Sequence, residues 1–193
     1  MQVLSDHFLE TAIREVIPGG SPMNIRRFLV IHFTSGATAK SSINFWRSKE
    51  ANGASAHIVI DRDGTLYQCR QFNVTCGHAG RSEWKGFESL NSCSIGIELA
   101  NAGDDSKLAS KYTKLPLVKA SHKNGSTTKE WEAYPEEQLK VCVDVSRAIV
   151  ARYNLDDVVG HEDIAPNRKN DPGPAFPMQR LREACGFNGL PSK

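Results

Sequence analysis

The stretch FLVIHF, residues 28–33, is short, almost continuously apolar and rich in β-forming side chains. Such a run reads as a strand buried on both faces, the kind found inside an α/β sheet. His32 interrupts it near the carboxyl end, where a histidine costs free energy unless its ring nitrogens are satisfied. Ligand sites of open α/β sheets gather at carboxyl strand ends. His32 is therefore the first candidate functional residue.

Other elements arrange themselves around this strand. Upstream, Leu4, Phe8, Ala12 and Val16 recur at helical spacing before the PGG breaker at 18–20, which predicts an N-terminal packing helix over 4–17. Downstream, SSINFWRSKE (41–50) reads as a helix, and SAHIVIDRDGTLYQC (55–69) as a hairpin turning at Asp63-Gly64. CSIGIELA (93–100) is a second buried-strand candidate that carries one acid, Glu98. Residues 101–133 are polar, Lys-rich and aperiodic, and read as a surface excursion. Pro135 then opens a helix in which Leu139, Cys142, Val143, Ser146, Ile149, Val150 and Tyr153 recur through Asn154. MQRLREACG (178–186) closes the chain as a short helix capped by Gly186. The expected fold class is α/β, a single domain over 1–193 with a central mixed β-sheet flanked by helices.

With 193 residues, 39% apolar and 24% charged, the chain can bury one sizeable core. A net charge of +2 without a basic tract makes nucleic acid an unlikely partner. No apolar run is long enough for a membrane anchor, and the start of the chain is too charged for a signal peptide. The five cysteines are odd in number and contain no C-x-x-C pair, as reduced thiols would. These features point to a cytoplasmic protein, expected to act as a monomer.

The densest chemistry lies in GHEDIAPNRKNDPGPAF, residues 160–176. Pro166, Pro172 and Pro174, with Pro177 just beyond, forbid a long helix and pin the backbone as a loop. His161 follows a short apolar run as His32 does, and Asp171 sits in the stiff NDPGP segment. Two histidines and an aspartate suit a catalytic zinc, which takes three protein ligands and leaves a position for water. Spacing leaves Glu162 and Asp163 open as alternatives, and a loop held by surface salt bridges is the plainer reading. Glu98 would take a proton from a bound water, and Lys169 would stand beside a developing oxyanion. Cys76 or Cys93 with His78 offers a cysteine hydrolase as a rival. His7 and His122 lie in ordinary polar contexts.

The motifs VIHFT (30–34), SAHIVIDRDGTLYQ (55–68), GHAG (77–80), SIGIELAN (94–101) and GHEDIAPNRKNDPGPAF resemble, in that order, the type 2 zinc-dependent N-acetylmuramoyl-L-alanine amidases. That group holds the AmpD-like amidases, phage amidase endolysins and peptidoglycan recognition proteins. The resemblance covers a catalytic core of about 25–182 and implies that fold, with one Zn²⁺ per chain. It implies zinc ligands at His32, His161 and Asp171, a catalytic Glu98 and a transition-state Lys169. It also implies a substrate-cleft role for His78 and a structural or second-sphere role for His57. An aspartate at 171 matches the AmpD-like branch and an active enzyme, rather than a recognition module that only binds wall.

The implied partner is peptidoglycan or its muropeptides, cut between N-acetylmuramic acid and L-alanine. Only FTSGATAKSSINFWRSKEANGASA (33–56) separates the first histidine motif from the SAH strand, shorter than in AmpD-like recycling enzymes. A shorter loop implies a more open cleft, and with it intact wall as substrate, reached by release in the manner of a phage endolysin.

Overall fold

A computed structural model describes residues 1–191. In chain order its strands and helices begin with β1 (Ile13–Arg14), β2 (Phe28–Phe33), α1 (Ala39–Trp46), β3 (Ile58–Ile60) and β4 (Leu66–Gln68). Next come β5 (Glu83–Trp84), β6 (Phe87–Glu88), β7 (Ser94–Leu99), α2 (Ser106–Tyr112), β8 (Val118–Ser121) and β9 (Thr128–Trp131). The last are α3 (Glu136–Tyr153), β10 (Asp157–Gly160), α4 (His161–Ile164) and α5 (Met178–Ala184). The main sheet has the order β1-β4-β3-β7-β2-β10. All its pairings are parallel except β3 with β4, the hairpin that turns at Asp63-Gly64. The sheet is therefore mixed, as the patterning predicts.

Alternation along each strand decides what the two faces hold. Leu29 and Ile31 of β2, Ile95, Ile97 and Leu99 of β7, Ile58 and Ile60 of β3, and Val158 of β10 share one apolar cluster with Leu139, Cys142, Val145 and Ile149 of α3 and Leu181 of α5. The intervening residues turn the other way. Phe28, Val30 and Val159 join Trp84, Leu90 and Ile164 at one end of the second face. Val59 joins Ala39 and Ile43 of α1 at the other end. By the same parity His32 and Glu98 belong to this second face, between its two coverings. A cleft remains there because neither covering spans it.

The expected helix over 4–17 does not form. Val3 instead bridges to Leu9, and Ile13 and Arg14 lie parallel to Tyr67 and Gln68 as the edge strand. The Gln68 side chain accepts the Leu9 N–H at 2.7 Å, and its backbone carbonyl accepts that of Glu15 at 3.0 Å. His7 adopts a left-handed φ of 63°, which a helix cannot accommodate. An unpaired sheet edge offered this segment better backbone partners than its narrow apolar stripe offered a helix.

Residues 101–133 are more ordered than their aperiodic pattern suggests. They hold α2, capped by the Asp105 side chain, and the β8–β9 hairpin. Trp131, 2% exposed, anchors the hairpin, and Glu132 pairs with Arg62 through two hydrogen bonds of 2.6 and 2.8 Å. Among the described residues no helix is long and apolar enough to cross a membrane.

The edge strand β10 is tied down by Asp157, which is buried and accepts bonds from Arg182 of α5, the Trp84 indole at 3.1 Å and Lys85 at 2.8 Å. Burial opposes its ionisation, but the bonds from Lys85, Arg182 and Trp84 outweigh that and hold the carboxyl below its ordinary range. This contribution is complete above the usual carboxylate pKa and is lost as pH falls through the lowered value. Asp157→Ala leaves Arg182 buried without its partner, and denaturant unfolding should show a loss of about 3–5 kcal/mol.

Candidate active site

Three strands deliver the site at their carboxyl ends. His32 stands on β2 directly opposite Glu98 on β7. On the other side of β2, Gly160 lies level with Ile31, so His161 begins α4 beside His32. Gly160 is needed for close approach, since a Cβ there would fall 2.7 Å from the Pro172 ring. The loop folded over it is held by Glu162 N–H to Asp171 O (2.8 Å) and Tyr134 hydroxyl to Pro172 O (2.8 Å). Asp171 is thereby turned inward.

His32 Nδ1, His161 Nδ1 and Asp171 Oδ2 meet at separations of 2.9, 2.9 and 3.0 Å, all buried. The second nitrogens of the rings fix which atoms carry protons. His161 Nε2 donates to the Ala79 carbonyl at 3.0 Å, so its Nδ1 is a lone pair. His78 Nε2 faces the Ser94 carbonyl at 3.3 Å, which leaves His78 Nδ1 to accept from His32 Nε2 at 3.0 Å. His32 Nδ1 is then also a lone pair. Two imidazole lone pairs and a carboxylate oxygen face one another with no proton between them, and this donor set fits a divalent cation of the zinc type.

The electrostatics agree with that protonation. Burial, then the neighbouring His161, push His32 down to about 4, against the pull of Asp171. Burial also drives His78 well below its ordinary value.

Glu162 and Asp163, the other acids of the loop, turn elsewhere. Glu162 pairs with His122 and Lys123 and accepts the Gly173 N–H at 3.2 Å. Asp163 accepts the Gly160 N–H at 2.7 Å and pairs with Lys123. His122, which the sequence places in an ordinary polar setting, thus braces the ligand loop from the β8–β9 tip. His57 lies beneath the site, accepting the Gly96 N–H at 3.1 Å and donating to Val74 O at 2.9 Å. His78 borders the cleft as well as supporting His32.

Glu98 and Lys169 line the same cleft of about 480 Å³, together with the three converging side chains. Glu98 Oε2 is buried without a hydrogen-bond partner. Burial raises this carboxyl to about 8, Asp171 adds to the rise and Lys169 opposes it. Such a group is poised to exchange a proton with something bound in the cleft. The cysteine alternative loses its nucleophile, because burial raises both the Cys93 thiol and the Cys76 thiol, the latter to about 11, and both ring nitrogens of His78 are engaged. All five cysteines are free thiols.

Residues 21–174 match the family model described as N-acetylmuramoyl-L-alanine amidase. The chain belongs to this amidase family. It is 37% identical over 166 residues to the N-acetylmuramoyl-L-alanine amidase AmiD of Escherichia coli, which covers 81% of this chain and 52% of AmiD. It is 36% identical over 130 residues to the 1,6-anhydro-N-acetylmuramyl-L-alanine amidase AmpD of Salmonella typhimurium, which covers 66% of this chain and 55% of AmpD. The chain therefore spans about half the length of the curated relatives it matches.

Among solved structures, the E. coli AmiD complex with anhydro-N-acetylmuramic acid-L-Ala-D-gamma-Glu-L-Lys superposes with a TM-score of 0.66 at 31% identity, over 86% of this chain and 60% of that one. An AmpD crystal structure gives a TM-score of 0.72 at 26% identity, over 95% and 99%. The central mixed sheet with flanking helices is the fold of these amidases.

One residue of this site has a role visible only in three dimensions. The His78 ring packs against Gly96 of β7, where a Cβ would come 2.6 Å from the ring. Gly96→Ala should displace His78, free His32 to rotate, and weaken metal binding by roughly 10–100-fold, the usual cost of losing an outer partner. Competition with a chromogenic chelator measures it.

Proposed function

We propose that the chain is a zinc-dependent amidase that hydrolyses the bond between N-acetylmuramic acid and L-alanine in peptidoglycan or muropeptides. The observation that carries this reading is the buried donor set of His32, His161 and Asp171 beside the partnerless Glu98 carboxyl. Family membership and the muropeptide bound by AmiD support it. The chemistry a bound zinc supplies there is Lewis acidity, which polarises a carbonyl and acidifies a water.

The chain's own groups divide the remaining work. Glu98 Oε2 takes a proton from the attacking water and returns it to the leaving amine of L-alanine. Lys169 places its ammonium beside the oxyanion as the carbonyl becomes tetrahedral. His78 holds His32 in the tautomer that presents Nδ1, and the Ala79 carbonyl does the same for His161. A pinned loop suits this task, because rate falls steeply when reacting groups drift.

Elemental analysis should find about one zinc per chain, and Asp171→Ala should lose it while Asp163→Ala keeps it. Glu98→Gln should retain zinc but lose roughly 10²-fold or more in turnover; joint loss of zinc and activity would make Glu98 a ligand instead.

The bond itself is checked on purified sacculi and on soluble muropeptides in parallel. New amino groups should appear on L-alanine with no rise in reducing sugar ends. A rise in reducing ends would mean a glycosidase, which needs a carboxylate pair across the sugar. Wall binding without turnover would leave only a recognition module.

A further inference from the structure

The cleft has two chemically unlike ends. At one end Phe45 and Trp46, in the last turn of α1, border it beside Glu98. At the other stand Arg168 and Lys169. The aromatic end continues into an adjoining recess of about 340 Å³, bordered by the same two rings and by Thr34, Ser35 and Ser41.

Folding accounts for Trp46 only in part and for Phe45 not at all. Helix α1 buries Ala39, Ser42 and Ile43, a stripe that Trp46 extends by packing one side against the Ile43 cluster. Phe45 falls outside that stripe and is 50% exposed. A large apolar ring left in water beside a candidate catalytic acid is more informative than a single exposed leucine elsewhere on a surface. The two other tryptophans, Trp84 and Trp131, are each 2% exposed and belong to the interior.

We propose that Phe45 and Trp46 form the subsite for the N-acetylmuramoyl ring, with the stem peptide running toward Arg168; this rests on the amidase reading above. The two halves of such a substrate differ as the two ends of the cleft do. A pyranose ring is uncharged and presents a face of C–H groups suited to an aromatic wall, while its hydroxyl and acetamido groups face the polar border at Ser35. A stem peptide carrying a γ-linked glutamate keeps a free carboxylate. Arg168 is positioned for that charge, with one guanidinium nitrogen held by the Ala79 and Arg81 carbonyls at 2.8 Å each. Reversed, the substrate would set its carboxylates against Phe45 and its sugar against two cations.

Because Trp46 alone among the three tryptophans is not buried, its fluorescence reports the subsite without any turnover. Titration with a peptide-free disaccharide of N-acetylglucosamine and N-acetylmuramic acid should give a saturable emission change that Trp46→Phe abolishes. The free stem peptide should give none. In kinetics, Phe45→Ala should lower kcat/KM for the disaccharide peptide relative to the sugar-free N-lactoyl peptide by roughly tenfold, through KM, as expected for one lost stacking contact. No emission change with the disaccharide, a change with the peptide instead, or an unaltered kinetic ratio would overturn the assignment. Failure of the wild-type protein to cleave either peptide would overturn the amidase reading, while the titration would still judge the subsite.

Discussion

The buried meeting of His32 Nδ1, His161 Nδ1 and Asp171 Oδ2 is the constraint around which the rest of the molecule is arranged. Three electron-pair donors at 2.9–3.0 Å repel one another unless a cation or a proton stands among them. Protons are a poor solution, since burial pushes His32 down to about 4 and the outer nitrogens of both rings already donate elsewhere. A metal ion removes the repulsion and uses the same geometry. The outer bonds to His78 and Ala79 therefore do more than fill space: they choose the tautomers that make the donor set a donor set.

Sheet parity explains why this set can exist in so small a chain. One face of β2, β7 and β10 is given to apolar residues packed on α3 and α5, which provides the core. The opposite face is covered in two separate patches, by α1 at one end and by the β5–β6 region with α4 at the other. Polar side chains at alternate positions fill the gap between them without disturbing the core. His32 and Glu98, level with each other on adjacent parallel strands, are brought together by register alone.

Much of this was legible in the sequence, for identifiable reasons. The buried strands, the Asp63-Gly64 hairpin and α3 follow from periodicity and turn chemistry, because those segments bury one face and their pattern records it. The 4–17 segment misled because its stripe is one residue wide and a sheet edge competed for the same backbone. At the site, residue types marked out His32, Glu98 and the 160–176 loop, but spacing could not choose among Glu162, Asp163 and Asp171. That choice depends on a fold-back of the loop, with Gly160 admitting Pro172 and Tyr134 holding its carbonyl. His122 and the aromatic pair of α1 escaped notice because periodicity tells which side of an element is buried, not what the outer side borders.

Residues 101–133 acquire a role from the same geometry. Their hairpin tip reaches the ligand loop, where Lys123 pairs with Glu162 and Asp163, and Asn124 donates to the Glu162 carbonyl at 3.0 Å. Behind it, Trp131 leaves no room for a side chain at position 173, within about 3 Å of where a Cβ would stand. Charge and bulk thus press the loop against β10 from outside the cleft. The segment after His32 meanwhile borders the site with Thr34, Ser35 and the two rings of α1. A hairpin that braces the loop of His161 and Asp171 from outside the cleft stiffens the site without occupying its entrance, which is what a geometry-sensitive site requires.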